Sequence, residues 1–159
     1  MVKDYGHVLS GDAAYADKAR RVSELAKDVS EVVSAAFRRE AFAKADGDTR
    51  IAFHSPCTLQ HGQRITGIVE DMLVQLGFTL TAVANGHLCC GSAGTYSILQ
   101  PDLSTALRDN KLASLQSNQP DMIATANIGC LMHMSGHADV PVRHWIELID
   151  PLTPGNTGT

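Results

Sequence analysis

From Thr49 onward, short strand patterns alternate with amphipathic helix patterns, and this alternation restricts the fold more than any other property of the chain. Arg50–His54 reads as a strand, ended by Ser55-Pro56-Cys57 because proline has no ladder donor and constrains the residue before it. Ile65, Ile68, Val69, Met72, Leu73 and Leu76 then recur at helical spacing, closed by Gly77. Residues 78–83 read as a second strand, Pro101-Asp102 opens a helix to about Leu115, and residues 122–126 read as a third strand. A short strand at 140–142 and a helix at 145–149 complete the pattern. Such a series predicts an α/β fold, a three-layer Rossmann-like parallel sheet with crossover helices.

The cysteines follow the same rhythm. Cys57, the adjacent Cys89 and Cys90, and Cys130 each come just after a predicted strand, with 31 residues between Cys57 and Cys89 and 39 between Cys90 and Cys130. Three segments distant in sequence are thereby expected at the carboxyl edge of one sheet, where open α/β folds hold ligands. His133 follows Cys130 at i+3, so one helical turn can present both side chains to one centre. Gly91 and Gly94 let the backbone approach a ligand and leave amide N–H groups to donate to sulfur.

Three or four thiolates with an imidazole suit zinc or an iron–sulfur cluster, and soft sulfur donors exclude magnesium and calcium. Adjacent cysteines chelate a single ion awkwardly yet reach separate irons of a cluster, whereas structural zinc sites usually carry two short chelating pairs. Iron–sulfur is therefore the leading reading, zinc the alternative, and a set of buried thiols the remainder. A Cys–His hydrolase built on Cys90 lacks an orienting group, and Gly91-Ser92-Ala93-Gly94 is too short for a dinucleotide loop. No catalytic residue is assigned.

Charge separates the chain into parts. Residues 1–48 hold 17 of the 30 charged side chains, and the remaining 111 residues hold 13. Residues 1–11 are expected to be a loop, with Asp12 capping one long amphipathic helix whose stripe runs from Tyr15 through Val22, Val29 and Val32 to Phe37. The expected division is an N-terminal helical segment 1–48 ending in a polar linker at 44–48, a cysteine-rich domain 49–150, and a flexible tail 151–159. A net charge of −4 without a basic run gives nucleic acid no electrostatic footprint. No apolar run reaches membrane-spanning length. Four cysteines behind an amino terminus unlike a signal peptide are expected of a reducing, cytoplasmic compartment.

Four motifs carry a resemblance: His54-Ser-Pro-Cys57-Thr-Leu-Gln-His61, His87-Leu-Cys-Cys-Gly-Ser-Ala-Gly-Thr-Tyr96, Asn127-Ile-Gly-Cys130-Leu-Met-His133 and Val142-Arg-His-Trp-Ile-Glu147. In this order they resemble the iron–sulfur subunits of glycolate oxidase (glycolate dehydrogenase) and, more broadly, the cysteine-rich CCG domains shared with heterodisulfide reductase and lactate-utilisation proteins. The resemblance implies a C-terminal cysteine-rich domain corresponding to the last third of a longer subunit. It implies a 4Fe-4S type cluster on Cys57, Cys89, Cys90 and Cys130, with His133 standing where the broader pattern has a final cysteine. It also implies an electron relay, inactive alone, between a flavin-containing subunit that oxidises glycolate to glyoxylate and a membrane acceptor, with peripheral association at the inner membrane. The competing class is a zinc-stapled or metal-free docking domain for the flavin subunit.

The other histidines carry blander expectations. His54, His61 and His87 flank thiols and read as hydrogen-bonded loop residues able to donate to sulfur. His137 is expected to be exposed, and His144 to lie near the carboxyl edge. Cys130, near a helix amino terminus, is expected to have a lowered pKa.

Overall fold

The sheet has four parallel strands, β1 (Arg50–His54), β2 (Thr79–Leu80), β3 (Met122–Thr125) and β4 (Val142–His144), in the spatial order β2-β1-β3-β4. The structure is a computed structural model that describes residues 2–37, 45 and 48–149; the expected tail and most of the expected linker lie outside the described residues. The contacts divide the chain into two units, residues 1–40 and 41–159.

In the second unit the helical elements are α4 (Ile68–Gln75), α5 (Tyr96–Leu99), α6 (Pro101–Gln116) and α7 (Ile128–Ser135). The strand order reverses direction between β1 and β3, so right-handed crossovers set α4 on one face and α6 and α7 on the other. The contacts agree, since α6 meets β1 and α7, and α7 meets β3. Central strands must be apolar on both faces, and Ile51, Ala52, Phe53, Ile123 and Ala124 are all buried. Ala52 and Ile123 form one core with Leu112 and Leu115 of α6, Met134 of α7, and the side chains of Cys90 and Cys130. The α/β parallel sheet with crossover helices is thus the observed architecture.

The first unit departs from the single long helix. A 3-10 turn at Val2–Asp4 and a short helix, α1 (Tyr5–Val8), occupy the segment expected to be a loop, and two helices follow, α2 (Ala16–Leu25) and α3 (Val29–Phe37). Asp12 does cap the turn leading into α2, its Oδ1 accepting from the amides of Ala14 and Tyr15 at 2.9 and 3.1 Å. The stripe breaks because Ala26 is extended and Asp28 starts a new helix. Asp28 Oδ1 accepts from the Ser30 amide at 2.9 Å, and the Asp28 amide donates to Glu31 Oε2 at 2.8 Å.

Three local corrections in the second unit have physical causes. Regular helix begins at Ile68 rather than Ile65, because Gly67 has φ +81° and a π-helical turn, Thr58–Gly62, comes first. The second strand spans only Thr79–Leu80, since α6 and its end take the carbonyls of the next segment: Ser114 Oγ donates to Ala84 O and Asn118 Nδ2 to Ala82 O at 2.7 Å. The last strand starts at Val142, after Pro141, which has no amide to donate.

Candidate metal centre

The carboxyl ends of β1 and β3, with the loop that carries Cys89 and Cys90, open onto a cleft of about 490 Å³ at the point where the strand order reverses. The strand β2 ends at Leu80, so Cys89 and Cys90 come from a loop rather than from just past a strand. Its walls include Cys57, Cys89, Cys90, Cys130 and His133, together with Gly94 and Asn127, and, among the described residues, no carboxylate. Side chains on a strand alternate between faces, so His54 shares the face of Ala52, and Thr125 that of Ile123. His54 and Thr125 are register partners on adjacent strands, and His54 Nδ1 lies 2.9 Å from Thr125 Oγ1. His54 lies close to Cys90 and Cys130, although neither it nor Thr125 lines the cleft itself. Both residues are buried, and His54 Nε2 has no hydrogen-bond partner.

One ring nitrogen of His54 and the Sγ atoms of Cys90 and Cys130 lie within 4.8 Å of one another. The Cys130 thiol donates to the Cys90 sulfur. That bond is the largest cause of a Cys90 pKa lowered to about 4, helped by His54 and the Ser92 amide and opposed by burial. Cys130 moves the other way, its pKa raised first by the same bond and then by burial, so the expected lowering at a helix terminus is overturned. Asn127 nonetheless caps α7, its Oδ1 accepting from the amides of Gly129 and Cys130 at 2.9 and 3.1 Å, and this fixes Cys130 in place.

Cys57 and Cys89 form a second, half-buried pair. Burial pushes the Cys57 thiol up, and the neighbouring Cys89 adds to the shift by charge and by a hydrogen bond. Cys89 Sγ also accepts from the Gly91 amide at 3.3 Å. Gly91 has φ +86°, and a Cβ there would collide with the Ser104 carbonyl oxygen. Glycine is required at this position for the approach of α6.

Ser104 links that loop to His133. Its buried hydroxyl donates to the Gly91 carbonyl at 2.8 Å and lies 3.1 Å from His133 Nε2. A hydroxyl has one proton, so His133 Nε2–H is the donor to Ser104, and Nδ1 carries the lone pair. His133 thus lines the cleft but stands outside the close group formed by His54, Cys90 and Cys130. The sequence places His54 at the end of a strand pattern as a hydrogen-bonded residue able to donate to sulfur, and gives no role to Thr125 or Ser104. The strand period on which His54 and Thr125 sit was the available signal for the first pair, while a lone helical serine carries none.

Among the remaining histidines, His61 Nε2 lies 3.4 Å from the His87 carbonyl, and His137 is exposed. His144 caps the last 3-10 turn, its Nδ1 accepting from the Ile146 amide at 3.4 Å. Among the described residues no helix is long and apolar enough to cross a membrane.

The donor set of four sulfurs and two imidazoles is soft, and it fits zinc or an iron–sulfur cluster. Over 152 residues, 94% of its length, the chain is 54% identical to the glycolate oxidase iron-sulfur subunit of Escherichia coli K12, and the match covers 36% of that protein. It is 26% identical over 160 residues to lactate utilization protein A of Anoxybacillus flavithermus and 29% over 159 residues to that of Geobacillus thermodenitrificans, covering 65% of each. The chain therefore spans about a third of the first relative and just under two thirds of the others. Residues 51–135, which hold all four cysteines and His133, match the cysteine-rich domain family CCG. The chain belongs to the CCG family of cysteine-rich domains.

Proposed function

We propose that this chain is an iron–sulfur electron-transfer module of a glycolate oxidase type oxidoreductase, holding a cluster of 4Fe-4S type. The observation that supports the reading is the convergence of four sulfurs, from two strand ends and one loop, on one cleft whose described lining residues include no carboxylate. Cys57, Cys89, Cys90 and Cys130 would supply thiolates, and His133 its Nδ1 lone pair. When bound, the cluster supplies one-electron chemistry. The protein's share is to hold the sulfurs, to donate the amides of Gly91 and Gly94 toward them, and to keep one side of the site dry beneath His54 and Thr125. The Cys90 thiol is already acidic at neutral pH, which favours loading there.

In this role the chain takes electrons from a flavin-containing partner that oxidises glycolate to glyoxylate and hands them toward a membrane acceptor. The chain would then sit peripherally on the cytoplasmic face of the inner membrane, held through its complex. The 54% identity to the glycolate oxidase iron-sulfur subunit supports glycolate over lactate as the linked substrate.

One observation favours a second reading. Three donor atoms within 4.8 Å of one another match the size of a single tetrahedral ion, so His54, Cys90 and Cys130 could hold zinc and staple a docking domain. The direction of the proton between His54 and Thr125 separates the two cases. If Nδ1–H donates to Thr125, Nε2 is free to ligate; if the hydroxyl donates to Nδ1, Nε2–H points at sulfur.

Anaerobic purification of the full chain, followed by absorption spectroscopy and dithionite titration, tests the proposal. Broad sulfur-to-iron charge transfer that bleaches on reduction and returns on oxidation is expected. A colourless chain holding stoichiometric zinc after attempted reconstitution would replace the relay with the docking domain.

A further inference from the structure

One buried charge has no part in the chemistry above. Lys111, on α6, is 1% exposed, and lysine is almost never that buried without partners for its ammonium. Its Nζ donates to the Gly86 carbonyl at 2.8 Å and lies 3.5 Å from the Asn85 carbonyl. Among the described residues no carboxylate comes within ion-pair distance of it.

The titratable groups whose charge reaches it are the cysteines. Burial lowers the Lys111 pKa, and Cys57, Cys90, Cys89 and Cys130 each push it back up. The next residue, Leu112, packs in the same core as Cys90 and Cys130. The two carbonyls that Nζ holds precede Cys89 by only three and four residues. Asn85 is itself in a left-handed conformation, at φ +54°, so this loop takes a sharp turn directly above the lysine.

Resting on the cluster reading, we propose that Lys111 is a positioning residue for the centre: a buried cation that pins the loop leading to Cys89 and raises the reduction potential of what the cysteines hold. Adding an electron makes the centre more negative, so a nearby cation favours the reduced form, and the low-dielectric surroundings strengthen the effect. Any cluster ligated by several thiolates also has an excess of negative charge to offset during assembly. An arginine at this position keeps the charge, glutamine keeps only an N–H donor, and methionine keeps only the volume.

The test uses the full chain and the variants Lys111→Arg, Lys111→Gln and Lys111→Met, each reconstituted anaerobically with ferrous iron and sulfide. Iron and sulfide content and circular dichroism are measured first, then the midpoint potential by spectroelectrochemistry. The expected result is a similar potential for wild type and Lys111→Arg, with a shift to lower potential in both neutral variants. Loss of the cluster in both neutral variants, with retention in Lys111→Arg, equally supports a role for the charge. Unchanged potentials in cluster-bearing neutral variants would overturn the role of Lys111 and leave the cluster reading standing. Loss in all three variants would also overturn it, because shape rather than charge would then be what matters. A wild type that takes up no iron would overturn both proposals.

Discussion

The floor and the mouth of the cleft treat their cysteines differently. At the floor, Cys90 and Cys130 are buried in the hydrophobic core, share a hydrogen bond, and adjoin His54, which Thr125 orients. At the mouth, Cys57 and Cys89 are half-exposed and rest on loop backbone, with the Gly91 amide as the fixed donor. Burial alone would raise the pKa of every thiol, and it does raise that of Cys57. Cys90 goes the other way because Cys130, His54 and the Ser92 amide together favour its thiolate over the cost of burial. The lesson is that a rigid sheet edge can prepare one thiolate in advance, while the loops leave the outer pair to be organised by whatever binds.

This contrast can be broken by substitution. The largest expected effect is on metal retention: Cys90→Ser should lower affinity by more than about a hundredfold in chelator competition, exceeding what supporting residues around a metal usually contribute. Cys57→Ser should cost less, and an equal loss would erase the distinction between floor and mouth. Next in size is Gly91→Ala, which places a Cβ against Ser104 at positive φ; a loss of about 2–3 kcal/mol in urea unfolding is expected. Thr125→Val should cost about 1–2 kcal/mol by leaving buried His54 Nδ1 without a partner.

Stability should also depend on pH. In the metal-free chain the floor pair holds one proton through the range in which an unfolded chain holds two, because the Cys90 pKa is lowered to about 4 and the Cys130 pKa is raised. The native state then binds fewer protons, so stability rises with pH from about 4 toward the ordinary thiol range. Above that range the raised Cys130 and Cys57 keep protons that the unfolded chain releases, and stability falls again. Urea midpoints across this range, compared with those of Cys90→Ser, check the sign: the variant should lose the rising limb.

The parallel sheet was legible because β1 and β3 are interior strands whose apolar runs are bounded by Pro56 and Pro120. The approach of Cys57 and Cys130 followed from that order, while Cys89 and Cys90 reach the same cleft from a loop well past the end of β2. The shortness of β2 was not legible, since Ser114 of α6 and Asn118 just after it take the carbonyls of the segment that follows Leu80 from 30 and 36 residues away in sequence. The break between α2 and α3 had a local signal, Asp28 followed at the third position by Glu31, which a continuous apolar stripe obscured. At the site, helical spacing accounts for His133 and Cys130 lining one cleft, whereas the burial of Lys111 and the link from Ser104 to Gly91 arise from packing between α6 and a distant loop. Local sequence around Lys111 reads as an ordinary solvated helix face.

The most direct test of one shared centre is iron and acid-labile sulfide per chain, measured anaerobically after reconstitution of wild type, Cys90→Ser/Cys130→Ser and Cys57→Ser/Cys89→Ser. Iron and sulfide bound together in wild type, and lost from both double variants, is the predicted result. Full iron and an unchanged spectrum in the Cys57→Ser/Cys89→Ser variant, or no iron in wild type, would contradict a centre held jointly by the floor and the mouth of the cleft.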